Sequence, residues 1–156
     1  MRTLIVSFIA VAMVAVPANA AEDPKVAAEV MAIARAQIAA SIAQKPFSER
    51  MVAATEDYTI FTPAAPTRID GKANIMSINT ANNMDGGKQL HNELLNPKVQ
   101  VYGDTAILTY NSYSINQDKN GRTSPSNQKV TRVYVRQSGA WRNVHGHFST
   151  TTPPAN

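Results

Sequence analysis

Two runs of alternating polarity, separated by Ser138-Gly139 near the C-terminus, limit the fold of this chain more than any other feature. Residues 130–137 and 140–148 have the two-residue period of β-strands, and Ser-Gly suits a two-residue hairpin loop. Directly opposed residues of a hairpin lie on one face of the sheet. The predicted cross-strand partners are Arg136 with Trp141, Tyr134 with Asn143, Arg132 with His145, and Val130 with His147. This polar, aromatic face is where we expect function.

Helical patterns occupy the first part of the chain. Asp23-Pro24 is a typical helix start, with a side-chain cap followed by proline at the first helical position. Apolar residues then recur at helical spacing until Lys45-Pro46 ends the helix. A short second helix is predicted from Ser48, and a third is predicted over Gly71–Asn83. Between them, Asp57–Thr62 has the composition of a strand that ends at Pro63.

Strand-like sequence follows from Leu90 onward. Residues 99–102 turn at Gly103-Asp104 into a strand over 105–116, and a loop is predicted from Asp118 to about Asn127. With the terminal hairpin, this gives a four-strand antiparallel meander. Helices segregated against one sheet predict an α+β fold, in which a helix laid across a bent sheet leaves a cone with an internal cavity.

The N-terminus has the features of a secretory leader. Arg2 precedes an apolar run over 4–16, and Ala18-Asn19-Ala20 is a typical cleavage signal. The run is shorter than the roughly 20 residues that span a bilayer. We therefore expect a signal peptide at 1–20, a single domain over 21–150 and a disordered tail at 151–156. The mature protein is expected to be periplasmic or secreted, with no membrane attachment after cleavage.

Composition excludes several kinds of site. The chain has no cysteine, which excludes disulfides, thiol catalysis and cysteine-based zinc sites. Lys and Arg outnumber Asp and Glu by 15 to 11, but the basic residues are scattered, so nucleic-acid binding is not expected.

Several ordered motifs resemble one family. Thr131-Arg132-Val133-Tyr134, a glycine turn and then Trp141-x-x-Val144-His145-x-His147 together resemble the association (hub) domain of calcium/calmodulin-dependent protein kinase II. Three further stretches resemble parts of the same domain. Thr59-Ile60-Phe61-Thr62-Pro63 resembles its first strand, and Ile69-Asp70-Gly71 resembles the segment before its third helix. Leu94-Leu95-Asn96-Pro97-x-Val99-x-Val101-x-Gly103-Asp104 resembles its middle hairpin. The resemblance runs roughly from Asp23 to Phe148.

The resemblance implies the cone-shaped nuclear transport factor 2-like fold, which is shared with SnoaL-like cyclases and ketosteroid isomerase. It also implies ring assembly through the outer sheet face and a polar pocket inside the cone. Arg132 matches one of that pocket's arginines, whereas Ser112, Phe148 and Ile75 replace charged or histidine residues of the family. No kinase lobe and no basic amphipathic helix is present, so neither kinase activity nor calmodulin binding is expected.

The predicted ligand-binding residues are Arg132, His145, Tyr134, Trp141, Tyr110 and His147. Arg132 either binds an anion or forms an ion pair with Glu93 or Asp57, because a guanidinium among apolar residues needs partners. Trp141 and Tyr134 either stack on a planar ligand or pack in the core.

The two histidines allow a metal site only with a third ligand such as His91, and hydrogen bonding in the pocket is the favoured alternative. We therefore expect no metal and no cofactor.

Two functions are compatible with these residues. The first is a non-catalytic homo-oligomer, either a scaffold or a binding protein for a small anionic ligand. The second is a small isomerase, dehydratase or cyclase in which Asp57 or His145 acts as general base. A pocket carboxylate or imidazole with a perturbed pKa would indicate the enzyme.

Overall fold

The structure is a computed structural model that describes residues 23–83 and 86–151. The predicted leader and residues 152–156 of the predicted tail lie outside the described residues. The elements in chain order are α1 (Pro24–Ile42), α2 (Phe47–Arg50), β1 (Ala54–Phe61), β2 (Ile69–Asp70), α3 (Lys72–Asn83), β3 (Lys88–Tyr102), β4 (Thr105–Gln117), β5 (Thr123–Gln137) and β6 (Ala140–Thr150). Within the described ranges, no helix has both the length and the hydropathy needed to cross a membrane.

The strands form one six-stranded sheet in the order β2-β1-β6-β5-β4-β3. The predicted antiparallel meander is confirmed for β3 to β6. The first strand joins this meander in an unforeseen way, because β1 runs parallel to β6 and pairs on its other side with the short β2. The predicted α+β class is therefore confirmed, with a mixed rather than a purely antiparallel sheet.

Helix α1 begins where the sequence predicts. The Asp23 carboxylate accepts hydrogen bonds of 3.0 Å from the backbone N–H groups of Lys25 and Val26, which have no partner inside the helix. Its buried side chains recur every four residues, at Val26, Val30, Ala34 and Ile38. This stripe packs against β3 and β4, so the helix covers one face of the sheet, here called the inner face.

The inner face changes character along its length. On β4 the inward positions run from Ala106 and Leu108, in the apolar core, to Tyr110, Ser112 and Ser114. A second apolar cluster joins α2, α3 and β1 through Met51, Ala54, Tyr58 and Ile75. The polar part of the inner face therefore lies at the C-terminal end of β4 and the start of β5, and a pocket forms there.

Strand β5 begins earlier than predicted, because the expected loop to Asn127 was wrong. Pro125 lies within the strand and pairs with Ile115. The pairing of β5 with β6 extends only from Gln128 onward, so residues 123–127 have a single neighbouring strand. A proline that donates no hydrogen bond is tolerated at such an edge.

Candidate functional site

The terminal hairpin has the predicted turn but not the predicted register throughout. Ser138 and Gly139 both have positive φ, of 50° and 81°, as a tight hairpin turn requires. Arg136 faces Trp141 and Tyr134 faces Asn143, as expected. Beyond these pairs, an extra residue at Val144 shifts the register by one position.

The shift at Val144 reverses the direction of the following side chains. Arg132 faces Gly146 and Val130 faces Phe148, whereas His145 faces Val133. The predicted partners His145 for Arg132 and His147 for Val130 are therefore wrong. A bulged strand places two residues opposite one residue of its partner. Each side chain after the bulge therefore points to the face opposite to the one that regular alternation predicts. Both histidines consequently lie on the outer face of the sheet, opposite to the pocket.

Arg132 lies inside the cone with only 5% of its surface exposed. Its Nε donates a hydrogen bond of 3.0 Å to the Tyr110 hydroxyl, and its NH1 donates to Oε1 of Gln37 on α1. The guanidinium carbon lies 5.9 Å from the ring centroid of Tyr110 and 5.4 Å from that of Phe148. All of these partners are neutral.

The alternative of an ion pair for Arg132 is wrong. Among the described residues, no carboxylate oxygen lies within ion-pair distance of this guanidinium. Glu93 is exposed and lies 3.1 Å from Nε2 of His91, and Asp57 is exposed on β1. An arginine remains charged even when it is buried, so the pocket contains an uncompensated positive charge.

Two further tyrosines surround Arg132. Burial raises the pKa of the Tyr58 phenol to about 12, although the charge of Arg132 acts in the opposite direction. Burial also raises the pKa of Tyr134, and the charge of Arg132 again acts in the opposite direction. Both phenols are therefore neutral near pH 7. They supply oxygen dipoles beside the cation rather than a counter-charge.

The pocket beside Arg132 has a volume of about 170 Å³. Its walls are α1 and the inward positions of β3, β4, β5 and β6, which bring neutral polar groups together. Ser112 Oγ donates a 3.0 Å hydrogen bond to Oδ1 of Asn92. The other polar lining residues are Gln37, Ser41, Gln89, Tyr110 and Gln128. The arrangement offers hydrogen bonds around one positive charge, which suits a small anion.

The family model of the calcium/calmodulin dependent protein kinase II association domain matches residues 26–152 of the sequence. The chain belongs to this family. The resemblance predicted from the sequence motifs is thereby confirmed.

Known relatives agree with this association-domain assignment. A stretch of 69 residues, 42% of this chain, is 35% identical to calcium/calmodulin-dependent protein kinase type II of Caenorhabditis briggsae, of which it spans 13%. The hub of this kinase from S. rosetta is 24% identical in sequence, with a TM-score of 0.64 over 89% of this chain and all (100%) of the hub. A nuclear transport factor 2-like protein of unknown function from Pseudomonas putida is 17% identical, with a TM-score of 0.70 over 85% of this chain and 91% of its own. These solved structures confirm the predicted cone-shaped fold.

In this association domain, the outward histidines form a cluster with β1. The Thr59 hydroxyl lies 2.8 Å from Nδ1 of His145, and the Phe61 ring lies 5.9 Å from His145 and 5.4 Å from His147 between centroids. Partial burial lowers the pKa of His145, and the charges of His147 and Arg68 lower it further. Within the described ranges, no three histidine or carboxylate residues are grouped to hold a metal ion.

Trp141 lies on the inner face but away from the pocket. Its Nε1 donates a 3.0 Å hydrogen bond to Glu29 of α1, and the same carboxylate oxygen lies 3.2 Å from NH2 of Arg136. The Arg136 guanidinium stacks 4.7 Å from the indole centroid. This group joins α1 to the hairpin, and the core cluster around it includes Tyr134.

Gln37 and Gly146 were not among the predicted site residues. Gln37 lies seven residues after Val30, so it falls on the inward stripe of α1, and a polar residue there was an available signal. Gly146 was hidden between two histidines. A Cβ at Gly146 would overlap the Tyr58 hydroxyl, so only glycine lets that phenol lie against β6 beside Arg132.

Proposed function

We propose that this association domain is a homo-oligomeric, non-catalytic protein that holds a small anion at Arg132. One observation carries the ligand proposal: among the described residues, the buried guanidinium is bonded only to neutral groups, and it borders a pocket of about 170 Å³. An unpaired buried charge is costly, and a carboxylate or phosphate oxygen bound beside it would supply the missing counter-charge.

The residues lining this pocket favour binding over proton abstraction. None of the described lining residues is a carboxylate, a lysine or a histidine. Asp57 and His145 were the predicted general bases, but Asp57 is exposed and His145 lies on the outer face. The tyrosines near Arg132 are neutral acids at pH 7 and are poor bases.

Calorimetric titration with sodium acetate and with inorganic phosphate would test the ligand site. Arg132→Ala should weaken binding by about 1.5–3 kcal/mol, the range for a hydrogen bond to a charged group. Arg132→Lys should recover part of this, since an ammonium lacks the bidentate geometry of arginine. Arg136→Ala, on the same strand but outside the pocket, is the matched control. Equal affinities of wild type and Arg132→Ala, in variants shown to be folded by circular dichroism, would refute the site.

Self-association is supported by the outer face of the sheet. In the described part of the chain, α1 packs on β3 and β4 and α3 packs on β1, in both cases through inward side chains. Outward residues Ile107, Val133 and Val135 form a half-buried apolar area, and Phe61 is 41% exposed nearby on β1. Phe148 is not part of this area, because it lies on the inner face and contacts Arg132. Burial of such apolar area against a second copy contributes about 25 cal/mol per Å².

Light scattering at micromolar concentration would test the assembly. Wild type should have at least twice the mass of one chain, and Val133→Glu should reduce it because burying a carboxylate in the contact costs free energy, even opposite His145. Gln137→Glu introduces the same charge at an exposed position beside the turn and should not alter the mass. A monomeric wild type would contradict the proposal.

Export of the protein is also proposed, on the strength of the leader motif alone. N-terminal sequencing of protein from its own host should begin at Ala21. A sequence beginning at Met1 would count against export.

A further inference from the structure

A second cavity lies next to the Arg132 pocket, and the two share one residue. This cleft, of about 160 Å³, lies between α1, α2 and the start of β1. Most of its lining is apolar, with Ile33, Met51 and Val52 and the small residues Ala36, Ala53 and Ala54, and the charged residues Glu49 and Arg50 of α2 complete it. Gln37 is the residue common to the linings of the cleft and of the Arg132 pocket. Its side chain is therefore the partition between them.

The hydrogen bonds of Gln37 allow this partition to move. Its Oε1 accepts from Arg132, a role that an anionic oxygen would perform better. Within the described part of the chain, its Nε2 donates only to Sδ of Met51, at 3.6 Å, and a thioether is a weak acceptor. An anion at Arg132 would thus release the amide at small cost.

The released amide also has an acceptor available. Asn143 lines the cleft and is 3% exposed, and its Oδ1 has no hydrogen-bond partner among the described residues. Asn143 is opposed to Tyr134, one inward position along the sheet from Arg132 and Gly146. A Gln37 amide turned toward Asn143 would satisfy this buried oxygen, which otherwise costs free energy.

We propose that the pocket and the cleft are one elongated site for an anion with an apolar tail, and that Gln37 is its movable partition. The anionic end binds Arg132, and the tail enters the cleft between Ile33 and Met51. This inference rests on the proposed function, because it requires Arg132 to bind the anionic end. It adds a ligand class, a carboxylate on an aliphatic chain.

Calorimetric titration with acetate, butyrate, hexanoate and octanoate at pH 7 tests the inference, since these probes differ only in tail length. Acetate and butyrate should bind the pocket with similar affinity. Longer tails should then bind more tightly, by roughly tenfold for each added pair of methylenes that is buried in the cleft.

Two alanine substitutions on α1 locate the tail. Ala36→Leu fills the cleft and should abolish the gain for octanoate while leaving acetate affinity unchanged. Ala39→Leu adds the same side chain at a position of α1 that is exposed, as Ala36 is, but lines neither cavity, and it should retain the gain.

The outcomes separate this inference from the proposed function. If acetate binds in an Arg132-dependent manner but octanoate binds no more tightly, or if its gain persists in Ala36→Leu, the elongated site is wrong and the anion site stands. If no carboxylate binds, or if Arg132→Ala binds acetate as wild type does, both proposals fail together.

Discussion

Gly146→Ala tests whether the Tyr58 phenol is packed against β6 as the structure has it. A Cβ at this position would overlap the Tyr58 hydroxyl oxygen and lie 3.1 Å from Cε2 of Phe148. Tyr58 is 2% exposed and is enclosed by Met51, Ala54 and Ile75. The ring therefore has no free space to enter, and the added methyl must displace either the phenol or the strand.

Two opposing contributions determine the expected magnitude. Replacing glycine by alanine where the backbone permits it stabilises a protein by about 0.4–1 kcal/mol, because the unfolded chain loses freedom. Overpacking a filled interior costs about 1–3 kcal/mol. The overlap with Tyr58 should prevail, so Gly146→Ala should lower the free energy of unfolding by about 0.5–2 kcal/mol.

A double-mutant cycle in denaturant makes the test specific. Tyr58→Phe removes the overlapping oxygen, and the remaining ring carbon Cζ would lie 3.5 Å from the new Cβ, an ordinary contact. In the Tyr58→Phe background only the 3.1 Å contact with Phe148 remains tight, so Gly146→Ala should cost less than in wild type, with a coupling of about 1 kcal/mol. Protein concentration must be held constant, since assembly also changes stability. An equal cost of Gly146→Ala in both backgrounds would refute the packing.

Substitutions at three further residues test the same structure. Gln37→Glu places a carboxylate beside Arg132, so acetate affinity measured by calorimetry at pH 7 should fall at least about tenfold; unchanged affinity would show that the guanidinium is not the anion site. His145→Asn tests the lowered pKa of His145: the unfolded state takes up the proton more readily than the folded state, so wild type should lose stability relative to the variant as pH falls below the ordinary value of 6.5. Parallel denaturation midpoints of the two proteins between pH 7 and pH 5 would contradict this. Glu29→Ala should cost about 1–2 kcal/mol in denaturant, because the buried Trp141 N–H loses its acceptor; Glu29→Gln retains an acceptor and should cost less, and equal costs would argue against this hydrogen bond.

Features that depend on neighbouring residues were predictable from the sequence. Asp23 caps α1 because its carboxylate reaches N–H groups two and three residues away. Ser138-Gly139 forms the hairpin loop because a glycine readily adopts the positive φ that the turn requires. The motifs around Arg132 and Trp141 similarly identified the family, and the burial of Arg132 agrees with that assignment.

Only the tertiary structure determined which side chains meet inside the cone. Gly146 was a local sign of irregularity, because a glycine inside a strand often marks a bulge or a close approach. It did not indicate that the bulge lies at Val144 and turns His145 outward and Gly146 inward. The bulge is defined by the pairing of β6 with two other strands, β5 on one side and β1 on the other. Likewise, Gln37 and Arg132 are 95 residues apart. Alternation within a strand specifies faces only while the register holds, and that register depends on contacts between distant segments.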